Sequence, residues 1–168
     1  MELLLHFLKD FFFAFFVAIG FASLFNTPKK VLLIAGLLGS LGHSLKFLLH
    51  DGLGFGLITA TLCGTVLIGL LGIVLAHRVH TPPVVFTMPA CITMIPGLFA
   101  YKTMLGFIKL TDESGLSRSP QDLENTFHYL VLTASLLFTL AIGISIGVLL
   151  FRQDSVKMLK FASRKNKA

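Results

Sequence analysis

A chain of 168 residues is long enough for one domain, but 55% hydrophobic residues, 13% charged residues and a mean hydropathy of +0.86 exclude an ordinary water-soluble or disordered one. The net charge of +6 does not point to nucleic acid, because six of the fourteen Lys and Arg residues fall in the last seventeen positions, beyond the last apolar segment. Seventeen phenylalanines, fifteen glycines and no tryptophan suit lipid-facing helices that approach one another closely.

A helix needs about 20 mostly apolar residues to cross a bilayer, and five segments qualify, at about 3–25, 31–50, 53–77, 83–109 and 125–151. The expected fold is all-α: a polytopic membrane helix bundle over residues 1–151 and a basic cytoplasmic tail over 152–168. The first segment opens at Glu2 rather than on a basic stretch and lacks a small-x-small cleavage site, so it reads as a retained helix. Inside it, Asp10 precedes Phe11, Phe12, Phe13, Ala14, Phe15 and Phe16. A carboxylate in an apolar run costs a few kcal/mol on insertion scales, which suits a protonatable coupling group. The alternative is a span that starts near residue 9, with Asp10 interfacial and paired locally with Lys9.

A polar turn, Asn26-Thr27-Pro28-Lys29-Lys30, leads into the second segment. Gly36, Gly39, Ser40, Gly42, His43, Ser44 and Lys46 dilute its hydrophobicity, so a re-entrant segment competes here with a full span. Gly36, Ser40 and Ser44 recur every fourth position with Gly39 and His43 beside them, a stripe that lets another helix approach. His43 suits a proton relay or a donor to an anionic group, against the plainer reading of an interhelical hydrogen bond. The cluster Gly52-Leu53-Gly54-Phe55-Gly56 opening the third segment is no phosphate loop, because no strand precedes it and no Gly-Lys-Ser/Thr follows.

The fourth segment is expected to break at Pro96-Gly97, with Pro89 two turns earlier. Each proline removes a donor and frees carbonyls that must face protein or a cavity within the membrane. Discontinuous helices of this kind build substrate and ion sites in secondary transporters. Thr93, Tyr101 and Lys102 lie within two turns of the break and favour a site over a simple kink. The fifth segment carries Ser135, Thr139, Gly143 and Gly147 at four-residue spacing, a packing face.

Basic residues are enriched in cytoplasmic loops. Five spans put Lys29, Lys30, Arg78 and the tail on one side, and the acidic stretch with Asp112, Glu113, Asp122 and Glu124 on the other. This predicts an outside N-terminus and a cytoplasmic C-terminus, with the tail against anionic lipid. Cys63 and Cys91 lie in apolar segments and read as buried thiols. His6, His50, His77, His80 and His128 lack metal-ligand spacing with any carboxylate, so neither a metal nor a cofactor is expected. No nucleophile pairs with a base, so an enzyme is not expected either.

Three stretches, Gly20-Phe-Ala-Ser-Leu-Phe-Asn-Thr-Pro28, Leu37-Leu-Gly-Ser-Leu-Gly-His-Ser44 and Ile95-Pro-Gly-Leu-Phe-Ala-Tyr101, together resemble the threonine/serine exporter (ThrE-like) family, in particular its small YjjB-type subunit. The likeness runs from Asp10 through Tyr101 and thins beyond. It implies an inner-membrane exporter of small polar metabolites: hydroxy amino acids for fused members, small dicarboxylates for some split ones. It also implies a larger partner subunit, or self-association, because fused members carry a further membrane half. Asn26, Pro28, Ser40, His43, Pro96, Gly97 and Tyr101 occupy positions like the family pattern. All of these except Pro28, together with Asp10, Thr93 and Lys102, make up the expected substrate and ion pathway. A structural or regulatory membrane subunit that transports nothing is the competing class.

Overall fold

The computed structural model describes residues 2–111 and 119–165. Every regular element among them is helical: α1 (Glu2–Leu24), α2 (Lys29–Phe47), α3 (Leu57–Val79), α4 (Val84–Ile92), α5 (Gly97–Thr111) and α6 (Pro120–Lys165), with a π-helical turn, Leu48–Gly52, prolonging α2. Asp112 and Glu113 of the acidic stretch lie outside the described residues.

Local chemistry sets the ends of these helices. At the end of α1 the Asn26 N–H donates to Ser23 O and the Thr27 N–H to Ala22 O, both at 3.0 Å, with Asn26 at φ 54°. That is the bond pattern of a Schellman turn, in which Asn tolerates the left-handed position and a proline, here Pro28, follows. At the start of α6 the Asp122 N–H donates to Ser119 Oγ (3.2 Å) while the Ser119 N–H donates to Asp122 Oδ2 (3.3 Å), a reciprocal cap with Pro120 at the first helical position. The helix therefore starts five residues before the expected 125. It continues across residue 151 to Lys165 without a break.

The small residues of α2 lie inside the bundle. Gly36 rests against Phe15 and Ile19 of α1, Gly39 against Ala18 and Ala90, and Gly42 against Ile68 and Gly64 of α3. Val31, Ala35 and Leu38 join Ile68, Phe86, Ala90, Met94 and Leu140 in one core cluster. The helix is continuous, and Lys29–Gly52 is long and apolar enough to span, so the re-entrant alternative is set aside. Its glycines and serines lower the mean hydropathy because they are contact positions, which need small size rather than hydrophobicity.

Three further helices meet the same test, at Leu4–Leu24, Leu57–Val79 and Pro120–Gly147, and the bent pair α4 and α5 makes a fifth span or a re-entrant loop. The break falls where Pro96-Gly97 predicts it, with a bend of 60°. Helix direction decides between the two alternatives. Gly143 of α6 meets Thr65 of α3, and Gly147 meets Gly69. Four residues onward in one helix match four onward in the other, so α3 and α6 run the same way. A re-entrant loop would return the chain to the end where α3 stops and send α6 back antiparallel to it. The α4–α5 pair is thus one broken crossing, the fourth of five, and Lys29, Lys30, Arg78 and the α6 C-terminus share one end of the bundle. The Ser135-to-Gly147 face packs as expected. One cysteine assignment is corrected: Cys91 is buried, but Cys63 is exposed, on the side of α3 that turns away from its neighbours.

Candidate functional site: a histidine–aspartate pair beside a broken helix

Helices α1 and α2 are antiparallel, and their register brings Asp10 opposite His43. His43 Nδ1 lies 2.7 Å from Asp10 Oδ2, each side chain about a quarter exposed at 25% and 26%. An ionised carboxylate only accepts, so the imidazole is the donor; a protonated carboxyl reverses the bond. The pair can therefore carry a proton on either partner. Asp10 thus makes a long-range contact, 33 positions along the chain. One turn along α2, Lys46 is close enough to both Asp10 and Asp51 to interact electrostatically. Ser40 and Ser44 are buried beside this stretch. The Ser40 hydroxyl donates to Leu37 O at 2.9 Å, and Ser44 Oγ has no hydrogen-bond partner among the described residues.

The two prolines of the fourth crossing have different consequences. Pro89 sits within α4, and the carbonyl it leaves unbonded, that of Val85, accepts the Thr27 hydroxyl at 3.3 Å. That deficit is repaired from the α1–α2 turn. At the break, the Met94 N–H reaches Cys91 O (3.0 Å), the Ile95 N–H reaches Ile92 O (3.1 Å), and the Gly97 N–H folds back to Ile95 O (2.8 Å). Thr93 Oγ1 donates to Ala90 O at 2.8 Å. Among the described residues no backbone N–H reaches the carbonyls of Thr93 and Met94, so these are the free acceptors that a broken helix presents within a membrane. Met94 packs on Gly64, which faces Gly42, the residue before His43. The free carbonyls and the ion pair thus lie at the same level of α2.

The remaining expected residues lie elsewhere. Asn26 is exposed in the Schellman turn, and Gly97 opens α5 with no atom near the position of a Cβ. Tyr101 is 61% exposed on α5. Lys102 turns toward α6, its Nζ 4.9 Å from the centre of the Tyr129 ring. Neither Tyr101 nor Lys102 is brought to the Asp10–His43 pair. Thr27, Lys109, Asp122 and Tyr129 enter the polar structure without having been singled out. A local signal existed for Asp122 alone, the Ser-Pro-x-Asp cap.

Residues 10–150 match the family described as Threonine/Serine exporter, ThrE. The chain is 36% identical over 154 residues to an uncharacterized protein of Haemophilus influenzae, an alignment that covers 91% of this chain and 50% of that one. It therefore spans about half the length of this curated relative. No solved structure matches.

Proposed function

Because the chain belongs to the threonine/serine exporter family and is a multi-pass membrane protein, we propose that it is one half of a proton-coupled exporter that moves small polar metabolites out across the inner membrane. The Asp10–His43 pair carries the proposal, since ionisable groups inside membrane spans are costly to place there and characteristically line ion or substrate pathways. In this reading the pair exchanges a proton while the carbonyls of Thr93 and Met94 hold the polar groups of the cargo, replacing part of its hydration. The cargo is a hydroxy amino acid such as threonine or serine, or a small dicarboxylate. Coverage of half of a relative supports a complementary half, either a larger subunit or a second copy. An odd number of crossings allows that half to be inserted the other way up. The shared basic end faces the cytoplasm, where the tail meets anionic lipid, and the N-terminus lies outside.

The test is threonine and succinate uptake into inverted vesicles carrying the assembled system, with and without an acid interior, normalised to assembled protein. Wild-type uptake should rise with the acid interior, and Asp10→Asn and His43→Ala should abolish the rise. Normal gradient-driven uptake in both variants would leave the pair a packing contact and remove its coupling role.

A further inference from the structure

A second polar site lies between α5 and α6, away from the Asp10–His43 pair. Gly106 lets the two helices touch, since a Cβ there would collide with the Thr126 side chain. Beside that contact is a cleft of about 240 Å³ into which Lys102, Lys109, Asp122, Asn125 and Tyr129 converge. This is below the roughly 300 Å³ at which pockets for drug-sized ligands begin, and suits a metabolite. The Tyr129 ring is fixed by stacking on Phe99, centroids 6.2 Å apart and planes 19° apart.

The charges in this cleft do not cancel. Asp122 is already engaged: its Oδ2 accepts the Ser119 hydroxyl at 2.6 Å and the Ser119 N–H at 3.3 Å, and its Oδ1 faces Lys109 Nζ at 3.9 Å. Lys102 has no carboxylate within ion-pair distance among the described residues, and its Nζ lies over the Tyr129 ring at 4.9 Å from the centre. A cation on a ring is held more weakly than one donating to a carboxylate, so an arriving carboxylate takes the ammonium from the ring. Asn125, on the same lining, adds an amide donor.

We propose that the α5–α6 cleft is a binding site for the carboxylate of a small organic metabolite, with Lys102 as its charged ligand and Tyr129 as the face that Lys102 leaves on binding. That the bound metabolite is the exported one rests on the exporter reading; that a carboxylate binds does not.

The chain has no tryptophan and two tyrosines, so a Tyr101→Phe background makes Tyr129 the reporter of its own site. The purified full chain in detergent is titrated with L-threonine and with succinate, and tyrosine fluorescence is read. At least one of them should give a saturable change, and threoninol, which replaces the carboxylate by an alcohol, should give none. Lys102→Met should weaken binding at least tenfold, and Lys102→Arg should restore most of it. No response to either carboxylate, an equal response to threoninol, or unchanged affinity in Lys102→Met would overturn the site. The comparison of threonine with threoninol, or of succinate with butane-1,4-diol where succinate is the ligand that responds, needs no variant, so it decides even if Lys102→Met fails to fold. Absence of binding in a chain that still supports gradient-driven transport overturns this cleft alone. Binding without gradient-driven transport overturns the exporter reading alone.

Discussion

Replacing Gly147 with alanine tests the contact that fixes the direction of α6. A Cβ at Gly147 would lie 2.7 Å from the Gly69 carbonyl carbon, 2.8 Å from its oxygen and 3.0 Å from its Cα. All three atoms are backbone, so no side-chain rotation relieves the clash. Restoring ordinary separations of about 3.5–4.0 Å opens the helix pair by about 1 Å. Overpacking of this kind costs about 1–3 kcal/mol, and helices in lipid rely on close van der Waals contact to associate. At about 2–4 °C per kcal/mol for a chain of this size, Gly147→Ala should melt roughly 2–12 °C below wild type. Gly97→Ala is the control, because a Cβ there meets nothing within 4 Å and a change within about 0.5 kcal/mol is expected. Thermal unfolding of the purified chain in detergent, followed by helical circular dichroism, gives both numbers. Equal melting of Gly147→Ala and wild type, or a larger drop for Gly97→Ala, would refute the close α3–α6 contact and the fifth crossing argued from it.

Three further outcomes are expected. Asn26→Ala should lower stability by about 1–2 kcal/mol, because alanine pays the left-handed penalty at φ 54°, while Asn26→Gly should be neutral or better in the same melt. A small membrane-permeant maleimide should modify Cys63, on the outer face of the bundle, before buried Cys91 in the folded chain, read by mass spectrometry of peptides. Pro96→Ala supplies an N–H for the Ile92 carbonyl and should reduce the 60° bend, which spin labels placed on α4 and α5 would report as a changed distance, together with slower substrate uptake.

Much of this architecture is legible in sequence because it is local. Apolar length marks the spans, and Pro96-Gly97 marks the break through its own backbone chemistry. The four-residue repeat ending in Gly143 and Gly147 marks a packing face without naming its partner. What escapes is either tertiary or masked by averaging. Asp10 and His43 are conspicuous singly, but they are 33 positions apart and meet only through the antiparallel register of α1 and α2. Segment two reads as weak because residues selected for size count as polar on a hydropathy scale. Pro89 and Pro96 carry the same chemistry in sequence, and only the fold supplies Thr27 to repair one of them. Lys102 reads as part of the break, yet the bend turns it toward Tyr129. The start of α6 was within reach, since Ser119, Pro120 and Asp122 form a cap signature that hydropathy alone passes over.

If the Asp10–His43 pair exchanges its proton for the exported metabolite, proton and metabolite fluxes are linked in opposite directions. Proton movement itself reports that linkage. Vesicles containing the assembled system, a trapped pH-sensitive dye and no imposed pH gradient are given a threonine or succinate gradient, with the membrane potential clamped. Substrate flow should drive an opposite proton flux in wild type, and Asp10→Asn should abolish the flux while assembly is intact. Substrate flow with no proton flux in wild type, or an undiminished flux in Asp10→Asn, would contradict the exchange.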